Sequence, residues 1–199
     1  MTPIGVLGLQ GDFDAHRKAL EEIGREVVVV RWPAEMDGIE ALIIPGGEST
    51  TLIKLMREME FVEPLRCFHR AGRAIFGTCA GAILMARHVV NPEQFSLGLL
   101  DIEIERNAYG RQTESFEAPD GQVEPPLAGV IGPGPLEMVF IRAPRILSCG
   151  PAVQVLARHG ADPVLVRCGK LLAGTFHPEM GSDRRVHRYF ATMATASAS

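Results

Sequence analysis

Short, almost wholly apolar runs punctuate the first eighty positions. They are Ile4 to Leu9, Val27 to Val30, Ala41 to Ile44 and Ala74-Ile75-Phe76. Runs this short and this apolar predict strands covered on both faces, as in a parallel sheet, and the four valines read as a central strand of it. Between the runs the period changes. Phe13, His16, Leu20 and Ile23 fall near helical spacing, with Asp12 as candidate cap and Gly24 as stop. Leu52, Leu55, Met56 and Met59 mark a second helix, with Ser49 or Thr50 placed to cap it. Glu63 to Ala71 predicts a third, stopped by Gly72, and Ala82 to Arg87 is a run of helix formers. Strand, helix, strand, strand, helix, helix, strand, helix is the alternation of a parallel sheet with helices on both faces. Sites in such sheets lie at the carboxyl ends of the strands, where Gln10, Gly46-Gly47 and Cys79 all fall.

The second half has a different texture. Leu99 to Arg106 alternates, with Leu100, Ile102 and Ile104 against Asp101, Glu103 and Glu105, which predicts an antiparallel strand with one wet face. The segment from Ala118 to Glu137 is rich in Pro and Gly and reads as a loop. Met138 to Ile141 predicts a strand. Val153 to Ala157, Val164 to Cys168 and Leu171 to Thr175 predict a terminal antiparallel extension, closed by a helix over Asp183 to Met193. The chain shows no repeat and no linker, so residues 1–193 are expected to form one domain, with 194–199 a frayed tail.

Composition narrows the class. Of 199 residues 46% are hydrophobic, enough for a large core, and the net charge is −4, which disfavours a nucleic-acid binder driven by bulk charge. No apolar run approaches the roughly 20 residues that span a membrane. The first residues read as a strand rather than a signal peptide, lacking a basic region and a cleavage site. The four cysteines show neither CxxC nor zinc spacing, so free thiols in a reducing cytoplasm are expected, with no metal and no cofactor. Gly5, Gly8 and Gly11 are not the dinucleotide fingerprint, whose glycines follow the strand.

Candidate chemistry centres on Phe76-Gly77-Thr78-Cys79-Ala80-Gly81-Ala82. A strand that turns straight into a helix bends sharply at the residue between, and glycines two before and two after remove the side chains that would collide. The central residue is pushed out, here a thiol at a helix N-terminus. An isolated cysteine would read as a small buried residue, but strand, glycines and helix in this order make it a nucleophile. Its base is sought in Thr175-Phe176-His177-Pro178-Glu179. In an extended segment His177 and Glu179 point the same way, so Glu179 would hold one ring nitrogen and His177 would offer the other to Cys79. The alternative is that His-Pro-Glu merely caps the next helix. The Gly46-Gly47 loop can aim backbone N–H groups at an anion. His16 reads as a packed structural histidine. No chemistry is assigned to His69, His88, His159, His187, Cys67, Cys149 or Cys168.

The elbow and distal His-x-Glu resemble the class I, triad-type glutamine amidotransferases. More specific stretches resemble the PdxT family, the glutaminase subunits of pyridoxal 5'-phosphate synthase. These are Gly8-Leu9-Gln10-Gly11, Gly46 to Thr50, Arg106-Asn107 with Gly110-Arg111-Gln112, and Ile141-Arg142-Ala143-Pro144, and with the other matching stretches they run in order over about residues 4 to 192. The resemblance implies a three-layer, flavodoxin-like α/β fold: a mostly parallel central sheet, helices on both faces and an antiparallel C-terminal extension. It implies hydrolysis of L-glutamine to glutamate and ammonia, with the ammonia passed to a PdxS-type (β/α)8-barrel synthase subunit in a hetero-oligomeric complex. Carried over by position, Cys79 is the nucleophile, His177 the base and Glu179 its partner. Gly47, Glu48, Ser49, Arg106, Ile141 and Arg142 surround glutamine, and the Gly47 and Ala80 N–H groups hold the oxyanion. The segment Ala118 to Glu137 departs from the family pattern. A glutaminase subunit of another amidotransferase, or a non-catalytic binding module of the same fold, shares the general motifs.

Overall fold

A computed structural model describes residues 2–106, 108 and 115–195. The parallel half runs β1 (Ile4–Leu7), α1 (Phe13–Glu22), β2 (Val27–Val30), a 3-10 turn (Pro33–Gly38), β3 (Ala41–Ile44), α2 (Ser49–Glu58), α3 (Val62–Arg70), β4 (Ala74–Thr78) and α4 (Ala80–Met85). Then follow β5 (Ala86–Val90), β6 (Leu100–Glu105), β7 (Ser115–Val123), α5 (Pro125–Ile131), β8 (Leu136–Ile141), β9 (Arg145–Cys149), β10 (Gln154–His159), β11 (Asp162–Cys168), β12 (Leu171–Gly174) and α6 (Arg185–Thr195).

Among the described residues the strands form two sheets. The larger has the order β2-β1-β3-β4-β12-β11-β10-β7-β8, and the smaller β5-β6-β9. From β2 to β12 the pairing is parallel; beyond β12 it is antiparallel, as the sequence predicts for the C-terminal extension. Alternate residues of the parallel strands enter two cores. Leu42, Ile44, Ile75 and Ala173 face α2, α3, α4 and the small sheet, while Ile43, Ala41, Phe76 and Leu172 face α1, α5 and α6. That period of two is what makes every central strand apolar throughout.

Several expectations are corrected. Val27 to Val30 is not central but the edge strand, and three of its valines are only half-buried. β-branched residues suit any pleated, half-covered surface, so valine content does not distinguish centre from edge. The run Ala82 to Arg87 is not all helix: α4 ends at Met85 and the backbone extends at Ala86 into β5. β6 is not purely antiparallel, since it lies between parallel β5 and antiparallel β9.

The largest correction is Ala118 to Glu137, which is no loop. Its first part completes β7 and its middle is α5. The two prolines open that helix, and Gly132, at φ 86°, ends it. Proline has no N–H to lose at the first helical positions, and glycine accepts positive φ at no steric cost, so these residues act as start and stop signals. A register shift between Ala118 and Gly121 absorbs the rest, and Ser115 still pairs with Ile141. At the C-terminus α6 includes Ala194 and Thr195, against the expectation of a frayed tail from 194. Residues 196–199 lie outside the described residues, as do 107 and 109–114 of the polar stretch after Arg106.

Candidate active site

The elbow forms as its glycines demand. Cys79 links β4 to α4 at φ 46°, ψ −104°. Its N–H donates to the Gly174 carbonyl at 2.8 Å, and its own carbonyl accepts from Ile83 N–H at 3.1 Å. A Cβ on Gly77 would lie 2.5 Å from the Gly81 backbone, and one on Gly81 would lie 2.0 Å from the Ile44 carbonyl oxygen. Strand, turn and helix can be this close only without those side chains. Because α4 has only six residues, the field at its N-terminus is modest.

His177 follows β12 and is tied to β8 by a 2.7 Å bond from its N–H to the Val139 carbonyl. His177 Nδ1 lies 2.7 Å from Glu179 Oε1, and both side chains are buried. The segment is a turn rather than the expected extended stretch, with Met180 N–H donating to the His177 carbonyl at 3.2 Å. The turn still brings the carboxylate to the ring. Gly46 packs against both partners: a Cβ there would lie 2.4 Å from His177 Cε1 and 3.3 Å from Cys79 Cβ. Burial works against a charged His177, but the adjacent Cys79 and the bonded Glu179 outweigh it and push its pKa up to about 10. Burial likewise works to raise Glu179, yet His16 and His177 hold it below the usual carboxylate value. The Cys79 thiol lies 3.9 Å from the Ile141 carbonyl oxygen, and His177 Nε2 is buried with no hydrogen-bond partner within the described protein.

These groups open on a pocket of about 220 Å³ whose lining includes Gly47, Glu48, Ser49, Arg106, Ile141 and Arg142 alongside Cys79 and His177. All six residues expected around a ligand are therefore brought together. Ala80 is buried behind them; as the first residue of α4 its N–H has no intrahelical acceptor. Gly47 has φ 147° and packs on Gln10, whose Oε1 accepts from Glu48 N–H at 3.3 Å. Glu48, not Ser49 or Thr50, caps α2, by accepting from Thr51 N–H at 2.8 Å and from the Thr50 hydroxyl. Burial works to raise its pKa, but those bonds bring it down to about 2. Its other oxygen lies 3.6 Å from Arg106, so Glu48 orders the pocket wall.

Asp12, the candidate cap of α1, makes no capping bond with its side chain. It lines the pocket instead, 4.0 Å from His177 Nδ1. Asp12, His177 and Glu179 form the one group of three metal-type donors among the described residues, with ligand atoms within 4.8 Å, although His177 and Glu179 already bond each other. Ile83 also lines the pocket. It carries no signal beyond its place in an apolar run, whereas Asp12 has one: it follows β1 directly after the Gly8 to Gly11 loop, at the sheet edge where sites lie.

A strained thiol elbow at the carboxyl edge of a parallel sheet, with a buried His–Glu pair beside it, is an arrangement suited to a cysteine-nucleophile α/β enzyme. A model of the SNO glutamine amidotransferase family matches residues 6–196, and the chain belongs to that family. It is 50% identical over 190 residues to "Pyridoxal 5'-phosphate synthase subunit PdxT" of Thermotoga neapolitana, covering 96% of this chain and 98% of that one. It is 54% identical over 190 residues to the protein of the same name in Koribacter versatilis, covering 96% and 94%. A solved structure described as a glutamine amidotransferase superposes with TM-score 0.88 at 50% identity, covering 97% of this chain and 99% of that one. The structure of PurLQS from Thermotoga maritima superposes with TM-score 0.73 at 17% identity over 96% and 99%, a likeness of fold alone.

Proposed function

We propose that this protein is the glutaminase subunit of pyridoxal 5'-phosphate synthase, hydrolysing L-glutamine to glutamate and ammonia. The observation that carries the reading is the convergence of Cys79, the His177–Glu179 pair and two arginines on one pocket, in a chain half identical to PdxT proteins. In this reading Cys79 Sγ attacks the side-chain amide carbon while its proton rests on His177. The tetrahedral oxyanion is held by the Gly47 and Ala80 N–H groups; loss of one such donor typically costs about 10²–10³ in rate. His177 gives its proton to the departing ammonia and leaves a γ-glutamyl thioester. It then takes a proton from water, whose oxygen attacks the thioester and frees glutamate. Glu179 keeps the His177 ring in the productive orientation. Arg106 or Arg142 pairs with the α-carboxylate by a charge-assisted bond, while Ser49 and the Ile141 carbonyl complete the wall.

The finer proposal is that the ammonia passes to a PdxS-type (β/α)8-barrel synthase subunit. Rearrangement of Gly46-Gly47-Glu48 on docking would let the partner set the oxyanion hole. Residues 1–193 act as one domain in this reading. The four thiols carry no disulfide and no helix among the described residues is long and apolar enough to cross a membrane, which supports a cytoplasmic site of action. The test is ammonia release from L-glutamine, by the chain alone and with the barrel partner, against Cys79→Ala. Release that rises with the partner and vanishes in the variant is expected; no release in any mixture overturns the proposal.

A further inference from the structure

The buried polar groups do not stop at Glu179. His16 on α1 and His187 on α6 are fully buried behind it. His16 Nδ1 lies 3.0 Å from His187 Nε2, a contact between residues 171 positions apart. His16 Nε2 lies 3.0 Å from Thr78 Oγ1 and 3.3 Å from Glu179 Oε2. Thr78 is the last residue of β4, immediately before the nucleophile. Glu179 Oε1 is held by His177, and Oε2 makes no full hydrogen bond to any described residue, so the His16 edge is what it faces.

Two proton arrangements satisfy the histidine pair. In the first, His187 Nε2–H donates to His16 Nδ1, and His16 turns its Nε2–H toward Thr78 and Glu179. In the second, a bare His16 Nε2 faces a carboxylate oxygen at 3.3 Å. Two acceptors opposed in a dry, low-dielectric interior repel, so the charge on Glu179 selects the first. The first also leaves His187 Nδ1 unprotonated, and that is the nitrogen with no partner among the described residues.

We propose that His16 is a positioning residue for the triad, steadying the outer oxygen of Glu179 so that the inner oxygen aligns His177. His187 fixes the His16 tautomer, and Thr78 ties the arrangement to the elbow strand. For its turnover readout the proposal rests on the glutaminase reading. The titratable and charged groups that face these residues are Asp12 before α1, Cys79 at the elbow, His177 and Glu179 after β12, and Arg184 before α6. Burial lowers His16, the opposing attraction of Glu179 notwithstanding, and burial with neighbouring His16 lowers His187 to about 3. Both rings are therefore neutral at physiological pH, and His16 acts as a neutral donor.

The test compares His16→Leu, which removes the donor, with His16→Gln, whose amide can reach the Nε2 position, and with His187→Leu. Two quantities are read against pH: alkylation of Cys79 by iodoacetamide in the intact chain, and ammonia release from L-glutamine with the synthase partner present. His16→Leu is expected to lower kcat by about 10-fold, the low end of what a hydrogen bond to a charged group is worth because Thr78 shares the donor, with the KM for glutamine unchanged. Without its donor Glu179 protonates more easily, so the acid limb of both profiles moves up by about one pH unit. His16→Gln restores the limb and most of kcat, and His187→Leu falls between.

An unmoved limb in His16→Leu, or a Gln variant as impaired as the Leu one, overturns the proposal and leaves His16 as packing alone. If His16→Leu does not fold, His16→Asn takes its place, because its shorter amide cannot reach Glu179 and must fail where Gln succeeds. If the wild-type chain releases no ammonia the glutaminase reading falls, and the alkylation profile still decides the role of His16.

Discussion

The elbow around Cys79 and the stretch from α5 to β8 use glycine to opposite ends. Around Cys79 glycine is required because other atoms lie where a Cβ would go: Gly77, Gly81 and Gly46 each meet one within 2.5 Å. In α5 and the turn after it, Gly129, Gly132 and Gly134 have nothing within 4 Å. There Gly132 ends the helix that the two prolines open, Gly134 lies in the turn after it, and Gly129 sits inside it with space around it. In these two places the crowded glycines hold the geometry of the elbow, and the open ones leave room for a side chain.

Substitutions can break that comparison or sharpen it. Cys79→Ala is expected to reduce ammonia release by at least about 10⁴-fold while leaving circular dichroism unchanged, since it removes the reacting atom and nothing that packs. Glu179→Gln should cost about 10³–10⁴ in kcat, because an amide can present N–H to His177 and stabilise the wrong tautomer. Its glutamine KM should barely move in the same assay.

Gly81→Ala pushes a methyl against the Ile44 carbonyl and should destabilise the fold by about 2–3 kcal/mol in urea unfolding. Gly46→Ala should spare more stability but displace His177, so activity falls further than the melting temperature does. In α5 the sign reverses. Gly129→Ala sits in a helix with free space and should stabilise by about 0.4–1 kcal/mol. If Gly129→Ala proved as harmful as Gly81→Ala, the distinction between crowded and open glycines would collapse.

A last test of the elbow region uses pH. His177 is raised in the folded state, so its contribution to stability is complete below its unfolded value near 6.5 and lost as pH rises through about 10. The melting temperature of the wild-type chain should therefore fall relative to that of His177→Leu between those limits.

What is legible in the sequence is whatever is written locally. Gly-x-Cys-x-Gly between an apolar strand and a helix is a complete steric instruction, and His177 with Glu179 sits two residues apart. The pocket wall at Gly47, Glu48 and Ser49 is one continuous stretch leading into α2, and the resemblance locates Arg106, Ile141 and Arg142. The Pro-Gly segment misleads because breaker residues mean different things at different places in a helix, and a count of them ignores position. The pair of His16 and His187 is invisible for another reason. Its partners lie on α1 and α6, and only the tertiary fold sets the two rings against each other and against Glu179. Asp12 misleads because a residue suited to capping is also suited to facing the pocket.

The backbone at Cys79 stands in a conformation that any L residue resists, at φ 46°, ψ −104°, with a cost of about 1–3 kcal/mol. Glycine would rest there more easily. Reactivity and sturdiness therefore pull in opposite directions at one residue: in the proposed reaction the thiol is indispensable, while Cys79→Gly should give a sturdier, inert shell.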